Sequence, residues 1–172
     1  PPVIGGSLYR IFNYLGYNAV GINHLGDWGT QFGKMIVAYL NWGDDLDIEK
    51  RGVRALLDLY VRFHSEAEKD ESLEAEGRAW FKKIEDGDSR ALEIFNKFKD
   101  ITLKEVKRVY DRLGVKFDSY AGESFYNDKM QPVIDELKAK NLLTESEGAM
   151  VVDLEKYGMP PCLILKSDGA TL

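Results

Sequence analysis

The chemistry-bearing residues gather first where the segment Asn18 to Leu25 hands over to Gly26-Asp27-Trp28-Gly29-Thr30-Gln31-Phe32-Gly33. A strand that gives way to a helix is where open α/β sheets hold their ligands. These glycines are not spaced as G-x-G-x-x-G, and no G-K-S/T follows them, so neither the dinucleotide fingerprint nor the P-loop applies. Asp27 at a strand end could position a ribose or cap the following helix, and the sequence leaves both roles open. His24 beside it is either a hydrogen-bonded packing residue or a proton donor to an anionic substrate. The second gathering is Glu123, directly after Gly122, with Tyr120, Phe125 and Tyr126 as aromatic neighbours in sequence. A carboxylate flanked by rings is what a guanidinium requires, because that planar cation offers paired donors and stacks on aromatic faces. The plainer alternative is a carboxylate that caps a turn.

Elsewhere the residue types promise less. His64 follows Phe63 on a charged helix and reads as surface. Cys162 lies among Leu and Ile and reads as a small core residue. Lys166-Ser167-Asp168-Gly169 has turn chemistry. A single cysteine allows no internal disulfide, and with only His24 and His64 beside it no Cys/His metal cluster is expected.

These groups need elements to position them. Ile4, Leu8, Ile11, Phe12 and Leu15 recur at helical spacing and Gly16 follows as a stop, although Pro1-Pro2-Val3 supplies no capping side chain. Asn18 to Leu25 alternates as a strand, and a helix is expected from Gly29 to Trp42. From Gly52 to Leu113 the pattern is densely helical. Within it Thr102-Leu103-Lys104-Glu105 has capping-box spacing and marks a helix start, with the stop at Gly114. Val115 to Tyr120 alternates as a second strand, and a helix follows from about Asn127 to Lys140, with Pro132 either in its first turn or at a kink. Ala149 to Leu154 and Cys162 to Lys166 read as strands, with Ser167 to Ala170 turning into a third. The chain is thus expected to open and close inside elements.

A length of 172 residues suits one domain or part of a larger one. Hydrophobic residues make up 44% and charged residues 30%, a globular composition. No apolar run approaches ~18 residues and no basic-then-apolar leader is visible, so the expectation is a cytoplasmic protein without a membrane span. A net charge of −6 has the wrong sign for a surface that grips nucleic acid everywhere, and confines any phosphate contact to a local cluster of Lys and Arg. The acids and lysine of Glu66 to Glu76 read as a solvated helix-and-turn surface.

Three segments, in this order and with compatible gaps, resemble arginyl-tRNA synthetases, especially the bacterial ones. They are Asn23-His24-Leu25-Gly26-Asp27-Trp28-Gly29-Thr30-Gln31-Phe32-Gly33, then Phe117-Asp118-Ser119-Tyr120 with Gly122-Glu123-Ser124, then Leu163-Ile164-Leu165-Lys166-Ser167-Asp168-Gly169-Ala170-Thr171-Leu172. The resemblance implies an α/β fold: part of a Rossmann-like parallel sheet, interrupted by a largely helical insertion and a C-terminal antiparallel hairpin. Residues 1–172 would be a partial catalytic domain, with 1–43 a Rossmann-like segment, 44–113 the helical insertion, 114–146 strand, loop and helix, and 147–172 a truncated hairpin of the connecting insertion. It implies a ligase that activates L-arginine with ATP and Mg²⁺ and esterifies tRNA(Arg), of which this chain is an excised piece, inactive alone and holding no cofactor tightly. Glu123 would bind the arginine, while Asn23, His24, Gly26, Asp27 and Gln31 would line the active-site cleft; no metal ligand is implied. The family's H-x-G-H signature, expected just before Gly5-Gly6-Ser7-Leu8, is not in the sequence, and its lysine-bearing signature loop and anticodon-binding domain are expected beyond Leu172. Unpaired edges suggest self-association. The residues alone also fit a stand-alone α/β module that binds a small ligand or a protein, whereas a nicotinamide or flavin enzyme would need the missing glycine fingerprint.

Overall fold

The computed structural model describes residues 2–167 in two units, Pro1–Glu123 and Ser124–Leu172. In the first unit, helix α1 (Pro2–Tyr14) stops where Gly16 takes a φ of 87°. Its apolar stripe buries little: Ile4, Leu8, Ile11, Phe12 and Leu15 remain 46–70% exposed among the described residues. Gly6 is the buried position of α1, with the Val115 side chain packed where a Cβ would stand.

Helices α2 (Thr30–Trp42), α3 (Ile48–Arg51), α4 (Val53–Ala67), α5 (Ser72–Glu85) and α6 (Ser89–Leu113) follow in order. Their apolar stripes converge on Ile36 and Val37 of α2, Leu59 and Phe63 of α4, Ile84 of α5 and Phe95 and Phe98 of α6. Burial of such stripes is the main stabilising term for helices of this length. At Gly33 the α2 backbone meets α5: a Cβ there would run into Gly77 O and lie 2.7 Å from Phe81 N. Asp88 caps α6 by accepting from Ala91 N at 2.9 Å, and Gly114 ends it in the left-handed conformation. The capping-box reading at Thr102 is corrected. That residue is inside α6, and its hydroxyl donates to Phe98 O at 2.8 Å. Phe98 is buried and Ile101 packs on the same core, so packing carries the helix through a sequence that could start one.

The two expected strands of this unit form no ladder. Residues 18–25 and 115–120 share a single parallel bridge, Ile22 with Ser119. A side chain supplants further pairing, because Gly21 N donates to Asp118 Oδ2 at 2.8 Å while Asp118 N donates to Gly21 O at 2.8 Å. His64 is half-buried, contrary to expectation. The Tyr60 and Phe63 rings of its own helix stand edge-on to it, at centroid distances of 4.5 and 5.8 Å.

In the second unit, α7 (Met130–Ala139) starts later than expected and carries Pro132 in its first turn, where an amide hydrogen has no helical acceptor. Strands β1 (Leu143–Ser146), β2 (Ala149–Val152) and β3 (Cys162–Leu165) make an antiparallel sheet in that order. Strand β1 precedes the hairpin expected over residues 147–172 and extends it toward α7. Its turn, Glu147-Gly148, has positive φ at both residues, the geometry that matches the twist of a two-residue hairpin. Cys162 is exposed on β3 and is no core residue. The turn and third strand expected beyond Ser167 lie outside the described residues. Among those, the fold is mostly helical with one small antiparallel sheet, and no helix is long and apolar enough to cross a membrane.

Candidate functional site

In the first unit the segments 21–28 and 118–123 run side by side and carry most of the residues singled out by type. Asn23 N donates to Ser119 O at 2.9 Å, and Glu123 N donates to Leu25 O at 2.9 Å, which pins the start of the Gly122-Glu123 turn to the strand end. Asp118 fixes the other end of the joint. Its Oδ1 also accepts from the Tyr9 hydroxyl at 3.3 Å, and that bond raises the pKa of Tyr9.

Asn23 and Asp27 are the buried polar side chains of the described residues, at 8% and 6% exposure. Both engage α6. Asn23 Nδ2 donates to Tyr110 Oη at 3.3 Å, and Asp27 Oδ2 meets Lys99 Nζ at 2.5 Å. Asp27 does not cap α2, since the N-cap position is Gly29 at φ 127°, with no side-chain cap. Trp28 instead anchors the loop in the helical core, edge-on to Phe81 at 5.2 Å, and Phe32 stands edge-on to Phe95 at 5.1 Å. The motif glycines thus serve chain geometry: Gly29 supplies a positive φ and Gly33 a close helix crossing.

Gly122 is buried against Asp27. A Cβ there would lie 2.5 Å from Asp27 Oδ1 and 2.7 Å from Leu25 O. The Glu123 carboxylate, exposed, lies beside Gly26, with Oε1 3.7 Å from where a Gly26 Cβ would stand. Among the described residues none donates to that carboxylate, so it does not cap the short 3-10 turn Glu123–Tyr126. His24, also exposed, has Nδ1 3.2 Å from Ala121 O. The structure therefore brings Asn23, His24, Gly26 and Asp27 to one joint with Glu123. Gln31 sits in the first turn of α2, where its Nε2 donates to Trp28 O at 2.8 Å. Tyr120 shares the unit with Glu123 and stands edge-on to Phe117, whereas Phe125 and Tyr126 belong to the other unit.

An open carboxylate on a backbone held from two sides is chemically a fixed anchor for a cation. Among the described residues no group of three or more His, Cys, Asp or Glu is placed to hold a metal ion. A groove of about 600 Å³ between the α3–α4 junction and α6 gathers Lys50, Arg51, Arg54, Lys104 and Arg108 together with the acids Glu49, Asp100 and Glu105. Two of these cations are already paired, Arg51 with Asp58 and Arg108 with Glu105, each at 2.5 Å. Lys99 and Tyr110 are the site residues that sequence reasoning missed. Their spacing of eleven is about three helical turns and puts both on one face of α6, yet a lysine in a charged helix gives no local sign of a buried partner.

Residues 2–172 match the family model described as tRNA synthetases class I (R), catalytic domain. The chain is 63% identical over 170 residues to the arginine–tRNA ligase of Alkaliphilus metalliredigens, and 58% identical over 169 residues to that of Clostridium perfringens. These alignments take in 99% and 98% of this chain but 30% of each relative, so the chain spans about a third of their length. Among solved structures, the arginyl-tRNA synthetase of Plasmodium falciparum aligns with a TM-score of 0.77 at 30% identity, over 99% of this chain and 28% of that one.

Proposed function

The chain belongs to the family of class I tRNA synthetase (R) catalytic domains, and from that premise we propose that it serves an enzyme that activates L-arginine with ATP and transfers it to tRNA(Arg). Glu123 is the arginine residue of this segment. A guanidinium offers only donors and stays charged at any working pH, so its recognition needs a fixed carboxylate. The observation that carries this reading is the anchored Glu123: its amide is held by Leu25 O at 2.9 Å while its carboxylate accepts from no described residue. Asn23, His24, Gly26 and Asp27 form the adjoining wall of the cleft, with Gln31 at its rim.

On this reading residues 44–113 are a helical insertion in a Rossmann-like sheet, and the isolated parallel bridge of Ile22 with Ser119 supports it. Class I synthetases use ATP with Mg²⁺. The described residues build no cluster of three or more His, Cys, Asp or Glu that would hold that ion. Without an H-x-G-H signature the 172 residues alone support no arginine-dependent ATP–pyrophosphate exchange above background. The protein works in the cytoplasm. Association of copies through β3 or the exposed face of α1 belongs to the same proposal, and a strictly monomeric sedimentation profile at high concentration would remove it.

The test is Glu123→Gln in a full-length synthetase that carries this segment. Losing a charge-assisted bond of about 1.5–3 kcal/mol raises the arginine KM roughly 10- to 150-fold and leaves the ATP KM nearly unchanged. A wild-type arginine KM in that variant sinks the assignment.

A further inference from the structure

Among the described residues the buried polar side chains, Asn23 and Asp27, both engage α6, and Asp27 in turn packs against Gly122 beside Glu123. We infer that α6 positions the arginine-binding carboxylate, with Lys99 acting through Asp27 and Tyr110 through Asn23; the inference rests on the assignment of Glu123 above. The chain of contacts is short and continuous. Lys99 Nζ holds Asp27 Oδ2 at 2.5 Å, the other Asp27 oxygen occupies the space a Gly122 Cβ would need, and Leu25 O accepts from Glu123 N at 2.9 Å.

The division of labour along α6 supports this role. Its buried residues, Ala91, Ile94, Phe95 and Phe98, all precede Lys99. The apolar core therefore holds the first half of the helix and reaches past Lys99 only through the half-buried Ile101. The stretch from Lys99 to Tyr110 meets the segment 23–27 through directional polar groups. An ion pair at a buried carboxylate is a poor choice for stability alone, because an apolar pair of similar volume avoids the cost of desolvating two charges. What it supplies is a fixed distance. Lys99 and Tyr110 are three turns apart on one helical face, so they set both ends of the 23–27 segment against a single rigid rod.

The experiment uses the full-length synthetase with Lys99→Met, Lys99→Arg, Tyr110→Phe and Glu123→Gln, singly, and with Lys99→Met and Glu123→Gln combined. Steady-state constants are referred to titrated active sites. Lys99→Met raises the arginine KM roughly 5- to 20-fold with the ATP KM within about twofold, and Lys99→Arg restores it. Added to Glu123→Gln, Lys99→Met raises the arginine KM less than about twofold further, since both act on one contact. Tyr110→Phe removes a single oxygen, keeps the fold, and gives a smaller rise of about 2- to 5-fold, likewise lost in the Glu123→Gln background. A purely structural role predicts fewer active sites and a lower melting temperature with every KM unchanged, and that result overturns the inference. So does an arginine KM that rises by the same factor with and without Glu123. If Glu123→Gln itself leaves the arginine KM unchanged, the reading of Glu123 fails first, and the inference with it; if Glu123→Gln raises it while Lys99→Met and Tyr110→Phe do not, the inference alone fails.

Discussion

Two glycine-to-alanine substitutions in the same joint are expected to have opposite outcomes. Neither Gly122 nor Gly26 has a positive φ, so the backbone tolerates alanine at both and only space decides. At Gly122 the new methyl would lie 2.5 Å from Asp27 Oδ1, 2.7 Å from Leu25 O and 3.0 Å from Asp27 Cγ. Reaching ordinary contact requires a retreat of about 0.7–0.9 Å by atoms that have little freedom, because Asp27 is tied to Lys99 and Leu25 O accepts the Glu123 amide. The cost of overpacking of this kind is about 1–3 kcal/mol, and it falls on the bond that places Glu123. At Gly26 the nearest atom is Glu123 Oε1 at 3.7 Å, an ordinary contact. In the full-length synthetase Gly122→Ala should therefore raise the arginine KM by roughly tenfold or more and lower the melting temperature, while Gly26→Ala leaves the melting temperature nearly unchanged. Arginine-dependent ATP–pyrophosphate exchange and a melting curve measure both. Equal effects of the two substitutions, or a wild-type arginine KM in Gly122→Ala, would refute the close-approach argument.

Gly33→Ala forces α2 off α5, since its methyl would meet Gly77 O and the Phe81 backbone and side chain; a loss of about 3 kcal/mol is expected, a drop of roughly 6–12 °C in the melting temperature for a chain of this size. A melting curve within a degree or two of wild type would contradict that packing. The Lys34 ammonium, hydrogen-bonded to Glu74 at 2.7 Å, holds the Glu74 carboxyl below its ordinary pKa. The pair therefore stabilises the fold above the carboxyl's unfolded pKa, and the contribution is lost as pH falls through the depressed folded value. Lys34→Met should cost about 1 kcal/mol at neutral pH for this half-buried pair, and the difference from wild type in urea midpoints should shrink toward pH 3. A difference independent of pH would mean that Lys34 acts by packing.

The helices were legible because their information is local and repeated. Apolar side chains at helical spacing need one buried face, and glycines stop α1 and α6 wherever the packing partners lie. The family was legible too, since motifs such as Asn23 to Gly33 and Gly122-Glu123-Ser124 are contiguous in the chain. Strands were harder because a strand is defined by its neighbours. Residues 18–25 and 115–120 have the right alternation, yet the Asp118 carboxylate takes a Gly21 amide and the pairing stops at one bridge. Thr102 to Glu105 has the chemistry of a helix start, and a core reached through Phe98 and Ile101 overrides it. The sequence by itself determined which residue types were available at the site: the carboxylate, the histidine and the glycines. Only the tertiary structure decided that Asp27 neither caps a helix nor faces solvent but meets Lys99, 72 positions along the chain and on another element. The physical reason is that a buried charge is satisfied by whichever partner the fold delivers, and no local pattern of residues encodes that encounter.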